Sequence, residues 1–400
     1  MEKPNSRSRR RWQFIAIGIV IFLCLGTVYS WSVFRKPIEE LFGINATQSG
    51  MPYMVFLFSY AIFMPIAGGF IDKYSPRVIT IIGGLAVGLG WILSGFVRDI
   101  RVLTVTYGFI TGGGVGIIYG VPIAVTAKWF PDKKGFVVGL TLLGFGLSPF
   151  ITAPLAGKLI EMYGPLQTFK IMGLAFGIII TLLALPLRFP TRESFNGLEE
   201  DDSSREIGTG EMLKTPVFYG LWGCYVIGTL IGLMAIAISS PVAEEIVRLS
   251  SGRAAMLVSL FAVFNGLGRP LFGWLTDEFS PARAAQVSYS LIILASVLML
   301  IAGEGNVLFF AVSFSLLWLN LGGWLAIAPT ATSIYFGARN YSKNYGYVFT
   351  AYGVGAILGT LLSGRVRDLL GSYIYAFYPT ILLAIAGLII SHFLLQRPAE

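Results

Sequence analysis

The stretch VFYGLWGCYVIGTLIGLMAIAIS, residues 217–239, has no charged side chain. An α-helix needs about 20 apolar residues to cross the hydrocarbon layer of a membrane, which is roughly 30 Å thick. This stretch is therefore long enough for one crossing, and eleven other stretches of the chain have the same character. The twelve predicted spans are Trp12–Phe34, Met51–Ile71, Val78–Val97, Val102–Thr126, Gly135–Ile160, Thr168–Leu187, Val217–Ser239, Ala254–Leu275, Ala284–Ala302, Val307–Ile334, Tyr345–Ser363 and Tyr373–Leu395.

The composition assigns the whole chain to the membrane class. Of its 400 residues, 55% are hydrophobic and 12% are charged, whereas an average soluble domain has about 25% charged residues. The apolar runs are continuous and lack the period-2 alternation of a membrane β-barrel, so the predicted fold class is all-α. The lipid bilayer is thus the first partner that the sequence predicts.

The net charge of +8 indicates an orientation in the membrane rather than nucleic-acid binding. Cytoplasmic loops of membrane proteins carry an excess of lysine and arginine. Most of the 29 lysine and arginine residues fall in segments on the same side as the N-terminus. We therefore expect both termini in the cytoplasm and a multi-pass protein of the cytoplasmic (inner) membrane. We also expect the functional unit to be a monomer.

The two halves of the chain repeat three short motifs at nearly the same offset. Asp72-Lys73-Tyr74-Ser75-Pro76 recurs as Asp277-Glu278-Phe279-Ser280-Pro281, Trp129-Phe130 as Tyr335-Phe336, and Gly157-x-x-x-Glu161-x-x-Gly164 as Gly364-x-x-x-Asp368-x-x-Gly371. A polar stretch separates the halves, so we divide the chain into a six-helix half 1–187, a cytoplasmic linker 188–215 and a second six-helix half 216–400. In transporters built from such repeats, the substrate site lies between the halves near the membrane midplane.

Several motifs resemble those of a known family. The loop Gly68-x-x-x-Asp72-Lys73-x-x-x-Arg77, with a degenerate copy from Gly273 to Arg283, resembles the signature loop of the major facilitator superfamily. Similarity to its oxalate/formate antiporter and monocarboxylate transporter group rests on Tyr29-Ser30-Trp31-Ser32, Trp129-Phe130-Pro131-Asp132-Lys133-Lys134-Gly135, Asn265-Gly266-x-Gly268-Arg269-Pro270 and Asn344-Tyr345-Gly346. The resemblance covers essentially the whole chain and implies a secondary carrier with two pseudo-symmetric six-helix halves.

Arg269 is the one basic residue left inside a span when all others, Arg35 included, are placed at helix ends. A charge at the membrane centre costs at least about 2.5–3.5 kcal/mol, so it should face a cavity and an anionic partner. No Asp or Glu lies in the middle of any predicted span, which favours a substrate carboxylate over a salt bridge within the bundle. The guanidinium geometry suits bidentate binding of a carboxylate.

Asn265 lies one helical turn before Arg269 and therefore on the same face. Its amide can donate or accept a hydrogen bond to a substrate group such as a 2-hydroxyl, or it can bond a neighbouring helix. The resemblance implies an aspartate here in animal monocarboxylate transporters, where it pairs with the arginine and takes part in proton coupling. The asparagine of this chain argues against a proton relay on the protein.

Three tyrosines in apolar runs, Tyr29, Tyr119 and Tyr352, are further candidates for substrate binding, because a buried hydroxyl needs a partner. The alternatives are an interfacial position for Tyr29 and contacts with neighbouring helices for the other two. The resemblance implies that the oxalate/formate antiporter has a lysine where this chain has Tyr352. One buried cation then remains, which neutralises a monocarboxylate but leaves a dicarboxylate with an uncompensated charge.

The signature loop and its copy predict a conformational latch. Asp72 and Asp277 can accept hydrogen bonds from a neighbouring helix N-terminus and pair with Arg77 and Arg283. Solvated charge is the alternative. The glycines that recur every four residues in the fourth span predict close helix packing instead; they are Gly108, Gly112, Gly116 and Gly120.

The remaining patterns exclude other classes. The chain lacks a G-x-x-x-x-G-K-[ST] phosphate loop, an H-E-x-x-H motif and a G-x-S-x-G motif with partners, so neither an ATP-driven pump nor an enzyme is expected. Cys24 and Cys224 lie in separate apolar runs, and neither a metal site nor a cofactor is predicted. The sequence predicts proton-coupled transport of lactate or a similar small monocarboxylate. Carboxylate exchange of the oxalate/formate kind, and a non-transporting carboxylate sensor on a transporter fold, are the alternatives.

Overall fold

A computed structural model describes residues 6–71, 73–130, 134–190, 207–302, 305–337 and 340–395. Over these residues the secondary structure is helical and contains no strand. Eleven of the described helices are long and apolar enough to cross a membrane. They are Arg11–Phe42 (α1), Ala46–Ile71 (α2), Pro76–Ser94 (α3), Ile100–Trp129 (α4), Val137–Ala184, Pro216–Glu245 (α7), Ser251–Glu278 (α8), Pro281–Ile301 (α9), Val307–Phe336 (α10), Lys343–Leu370 (α11) and Tyr373–Leu394 (α12).

The 48-residue helix over Val137–Ala184 accounts for two crossings. A straight helix of that length would measure about 72 Å, more than twice the hydrocarbon thickness. Gly164 interrupts it with φ 77° and ψ 167°, a conformation that glycine adopts without steric cost. Residues 134–163 are α5 and residues 165–184 are α6, so the described residues contain the twelve predicted crossing segments.

The first span is longer than predicted and buries a second arginine. After a 3₁₀ turn at Gly26–Ser30, α1 continues to Phe42 instead of ending at Phe34. Arg35 on this extension is 1% exposed. Its guanidinium donates to Ser49 Oγ (3.0 Å), to the Ala46 carbonyl (2.5 Å) and, in the other half, to the Ala237 carbonyl (3.3 Å). The predicted placement of Arg35 at a helix end is therefore wrong, because the helix continues past it to Phe42. The partners of the buried guanidinium replace the water that it loses.

The two halves use matching helix pairs. α2 packs on α4 in the first half, as α8 packs on α10 in the second, and α7 packs on α11 as α1 packs on α5. Between the halves, α2 lies against α11 and α5 lies against α8. The sequence repeat relates α2 to α8 and α5 to α11, so the two inter-half contacts are equivalent.

The glycine face of α4 is a packing surface, as predicted. A methyl group at Gly108 would lie 3.0 Å from the Pro52 carbonyl oxygen, and one at Gly116 would lie 2.8 Å from that of Tyr60. Both carbonyls belong to α2. Only glycine lets the two backbones approach this closely.

The described end of the linker, residues 207–215, contacts α11. It contains the short helix Thr209–Met212. Asn344 donates from Nδ2 to the Ile207 carbonyl (3.0 Å) and accepts at Oδ1 from the Thr209 hydroxyl (2.8 Å). This segment is thus tied to the second half.

Candidate functional site

Arg269 of α8 reaches the interface between the halves. Its side chain is buried, with 8% of the residue exposed. Nη1 donates to the Leu142 carbonyl of α5 at 2.7 Å, whereas Nε and Nη2 are buried and have no hydrogen-bond partner within the described residues. Nε and Nη2 form one edge of the guanidinium plane, the edge that can hold both oxygens of a carboxylate. The arginine is therefore oriented by one half while its side-on edge remains available.

Asn265 lies one turn before Arg269 on α8 and is completely buried. Its Nδ2 donates to the Trp318 carbonyl of α10 at 3.2 Å. Its Oδ1 has no partner in the described part of the chain. One of the two predicted roles, helix-to-helix bonding, is thus present, and the amide oxygen is left for a second interaction.

Gly146 of α5 faces both of these side chains. A methyl group at this position would lie 3.0 Å from Asn265 Oδ1 and 3.5 Å from Arg269 Cζ. The guanidinium group and the amide oxygen therefore lie beside the same glycine of the opposite half. Gly146 is not predicted from the sequence, although a Gly144-x-Gly146 pair is visible there. Residues that lie two positions apart on a helix point in different directions. Gly144 accordingly packs on Ile19 of α1 and not on the site.

The structure brings Tyr29 and Tyr352 together across the interface. Both side chains are buried, and their hydroxyl oxygens are 2.9 Å apart in a hydrogen bond. Tyr29 belongs to α1 and Tyr352 to α11, so this bond joins the two halves. The burial of Tyr29 keeps its ring away from lipid and solvent.

Tyr119 lies in an aromatic cluster next to the arginine site. Its ring packs on Tyr60 at 5.0 Å, on Phe22 at 5.1 Å and on Phe145 at 5.5 Å between centroids. Phe145 directly precedes Gly146 and also packs on Tyr29 at 5.2 Å. Phe145 and Tyr60 are not predicted from the sequence, because single aromatic residues in apolar runs do not distinguish a site from ordinary packing.

The described latch residues are exposed, unlike the buried Arg269. Asp72 lies outside the described residues. Arg77, Asp277 and Arg283 have exposed side chains, and no ion pair between Asp277 and Arg283 occurs in the described ranges. Their role as a latch stays a prediction.

A different set of polar contacts joins the halves at the end of the bundle that carries Phe42 and Ala46, which we call the outer end. Asp368 of α11 accepts hydrogen bonds from the backbone N–H groups of Ala46 and Thr47, each at 3.0 Å, and from the Thr47 hydroxyl. Lys36 of α1 lies 3.8 Å from a carboxylate oxygen of Glu244 and 3.7 Å from one of Glu245, both in α7. The acid of one repeated motif therefore caps a helix of the opposite half.

The described residues offer no group of three or more His, Cys, Asp or Glu side chains that could hold a metal ion. Cys24 and Cys224 are both free and buried in separate helices. The groups that the described site offers to a ligand are the arginine edge, the Asn265 amide oxygen and the tyrosines.

The chain is similar to a large family of membrane proteins. The family model of the Major Facilitator Superfamily matches residues 15–360 and 231–400. The oxalate:formate antiporter of Oxalobacter formigenes is 29% identical over 365 residues, which cover 90% of this chain and 86% of that protein. Monocarboxylate transporter 12 of Xenopus laevis is 24% identical over 394 residues, which cover 92% and 84%.

Two solved transporter structures share the fold. A bacterial homologue of the human lysosomal transporter Spinster, inward-facing and unoccupied, has a TM-score of 0.70 at 16% identity and covers 96% of this chain and 95% of its own. The transporter FucP in the outward conformation has a TM-score of 0.60 at 17% identity and covers 96% and 98%. At these identities the likeness concerns the fold alone.

Proposed function

The chain belongs to the major facilitator superfamily, and from this premise we propose that it is a secondary carrier of a small monocarboxylate such as lactate. The observation that carries the proposal is the side-on edge of Arg269, which is buried and without a partner among the described residues. A buried charge is costly unless it is paired and hydrogen-bonded. A carboxylate supplies both the opposite charge and the two acceptors that this edge requires.

The charge of the site supports a monoanion over a dianion. Tyr352, where the resemblance implies a lysine in the oxalate/formate antiporter, is a neutral phenol bonded to Tyr29. Arg35, the second buried arginine, donates to Ser49 and to two carbonyl groups at the outer end, and its charge is paired with the Glu39 carboxylate at 3.7 Å. A dianion would keep one uncompensated charge in a poorly solvated site.

We propose that the substrate binds between the halves and that a proton travels with it. Asn265, Tyr29, Tyr119 and Tyr352 would complete the site around Arg269. The carrier would alternate its access across the α2–α11 and α5–α8 contacts, with the loops at Asp72–Arg77 and Asp277–Arg283 as latches. We further propose that both termini lie in the cytoplasm and that the membrane is the cytoplasmic one.

Counterflow in reconstituted vesicles tests this function. Vesicles loaded with unlabelled lactate should transiently concentrate labelled lactate from a dilute outside solution, because a carrier exchanges one molecule for another. Empty liposomes are the control. A protein that binds lactate but gives no counterflow would be a sensor rather than a carrier.

A further inference from the structure

The orientation of the Asn265 side-chain amide bears on which substituent the substrate carries at C2, next to its carboxylate. Resting on the function proposed above, we propose that the site selects 2-hydroxy over 2-oxo monocarboxylates, because Asn265 presents a hydrogen-bond acceptor beside Arg269. The sequence alone left open whether this asparagine donates or accepts. The structure assigns the accepting role.

The assignment follows from the partner on the far side of the amide. Asn265 Nδ2 lies 3.2 Å from the Trp318 carbonyl oxygen, which can only accept a hydrogen bond. Turning the amide over would place Oδ1 against that carbonyl, two acceptors face to face, and would leave both unsatisfied. The atom that remains without a partner is therefore Oδ1.

The free oxygen and the arginine edge are close enough for one small acid. Asn265 Oδ1 and Arg269 Cζ lie 3.0 and 3.5 Å from the same point, which is the position that a methyl group at Gly146 would take. Their separation is therefore at most the sum of these two distances. A carboxylate on the Nε and Nη2 edge of Arg269 thus has its C2 substituent within reach of Asn265.

The chemistry of that substituent decides whether Oδ1 is satisfied. A 2-hydroxyl donates to Oδ1, whereas a 2-oxo group brings a second acceptor, and a 2-hydrogen leaves Oδ1 unpaired. A buried acceptor without a partner costs enough to weaken binding about 10-fold or more. Sites built to bond a substrate hydroxyl reject analogues that lack it for this reason.

The test compares lactate, pyruvate and propionate as competitors of labelled lactate uptake in vesicles that contain the full-length protein. The three acids are monoanions of three carbons and differ at C2. We expect the half-inhibiting concentration of pyruvate to exceed that of lactate by about 10-fold or more, with propionate also weaker than lactate. Equal inhibition by lactate and pyruvate would overturn the inference while leaving the monocarboxylate carrier intact. Failure of all three acids to compete would overturn both.

Two asparagine variants locate the discrimination. Asn265→Ala should bring the inhibition by lactate and pyruvate to within about 2-fold of each other, because the acceptor is gone. Asn320→Ala is the matched control. Asn320 is also buried, its Nδ2 donates to the Leu316 carbonyl at 2.7 Å, and its Oδ1 has no partner within the described residues. It lies on α10 and not beside Arg269 on α8. The control should keep the wild-type ratio. A wild-type ratio of pyruvate to lactate inhibition in Asn265→Ala would overturn the role of this residue. Each ratio compares two acids on the same protein, so it does not depend on how much protein folds.

Discussion

Arg269 shows how far a single residue can be understood before its surroundings are known. Its position inside an apolar run predicts a buried cation and an anionic partner. The contact of Nη1 with Leu142 and the convergence on Gly146 could not be predicted, because both depend on how two distant helices meet. The same holds for Arg35, whose carbonyl partners lie in two helices other than its own.

Replacement of Arg269 by Ala or Gln should abolish lactate uptake, because it removes the group proposed to pair with the anion. Arg269→Lys should also transport poorly, since an ammonium group cannot reproduce the two parallel donors of the side-on edge. Uptake into vesicles with equal amounts of folded protein is the measurement. Arg253→Gln, at an exposed position of the same helix, is the control that should retain uptake. Wild-type uptake by Arg269→Ala would remove Arg269 from the site.

Gly146→Val should also eliminate uptake, because its first side-chain carbon would lie 3.0 Å from Asn265 Oδ1 and 3.5 Å from Arg269 Cζ and would crowd both groups. Gly139→Val is a matched substitution on the same helix, where an added side chain meets nothing within 4 Å. We expect this control to transport normally in the same uptake assay. If both variants transported alike, the bare backbone of α5 would have no part in binding.

Tyr352→Lys tests the charge argument. It breaks the hydroxyl bond to Tyr29 and adds a second cation, so lactate uptake should fall and a dicarboxylate such as oxalate should begin to inhibit it. Tyr347→Lys, on the exposed surface of the same helix, should change neither property. Unchanged lactate affinity together with no inhibition by oxalate would mean that residue 352 does not influence the charge of the site.

At the scale of elements, the repeated sequence predicts twelve helices but not where each one stops. Continuous apolar runs and turn residues identify the crossings, and Gly164 marks the break between α5 and α6. The extension of α1 to Phe42 was missed because Arg35 and Lys36 look like the polar end of a span. Their partners in α2 and α7 allow the helix to continue.

Asp368 of α11 caps the start of α2 in the opposite half. Loss of a helix cap typically costs about 1 kcal/mol, or roughly a 5-fold shift in local opening. Asp368→Ala should therefore speed hydrogen exchange of the amides at the start of α2, measured by mass spectrometry. Glu161→Ala, the equivalent acid of the first half, is the control: its side chain is exposed and makes no hydrogen bond to the described residues. Unchanged exchange in Asp368→Ala would show that the cap does not hold the outer end.

At the scale of the whole molecule, the two halves supply different parts of the site. The second half contributes the charge and the amide oxygen, and the first half contributes the Leu142 carbonyl and the bare backbone at Gly146. Internal repeats predict that a site lies between the halves. They cannot predict which half supplies which group, because the repeat is too degenerate to align individual site residues.

The central claim is that the molecule moves a monocarboxylate together with a proton. The described structure has no Asp or Glu beside Arg269, so we expect the proton to travel with the substrate anion. Lactate and a proton that cross together carry no net charge across the membrane potential. The most direct measurement is labelled lactate uptake into vesicles under an inward proton gradient, with no lactate inside. We predict uptake that rises with the gradient and collapses when a protonophore dissipates it. Uptake that ignores the gradient but is strongly stimulated by internal lactate would contradict this and indicate obligatory exchange.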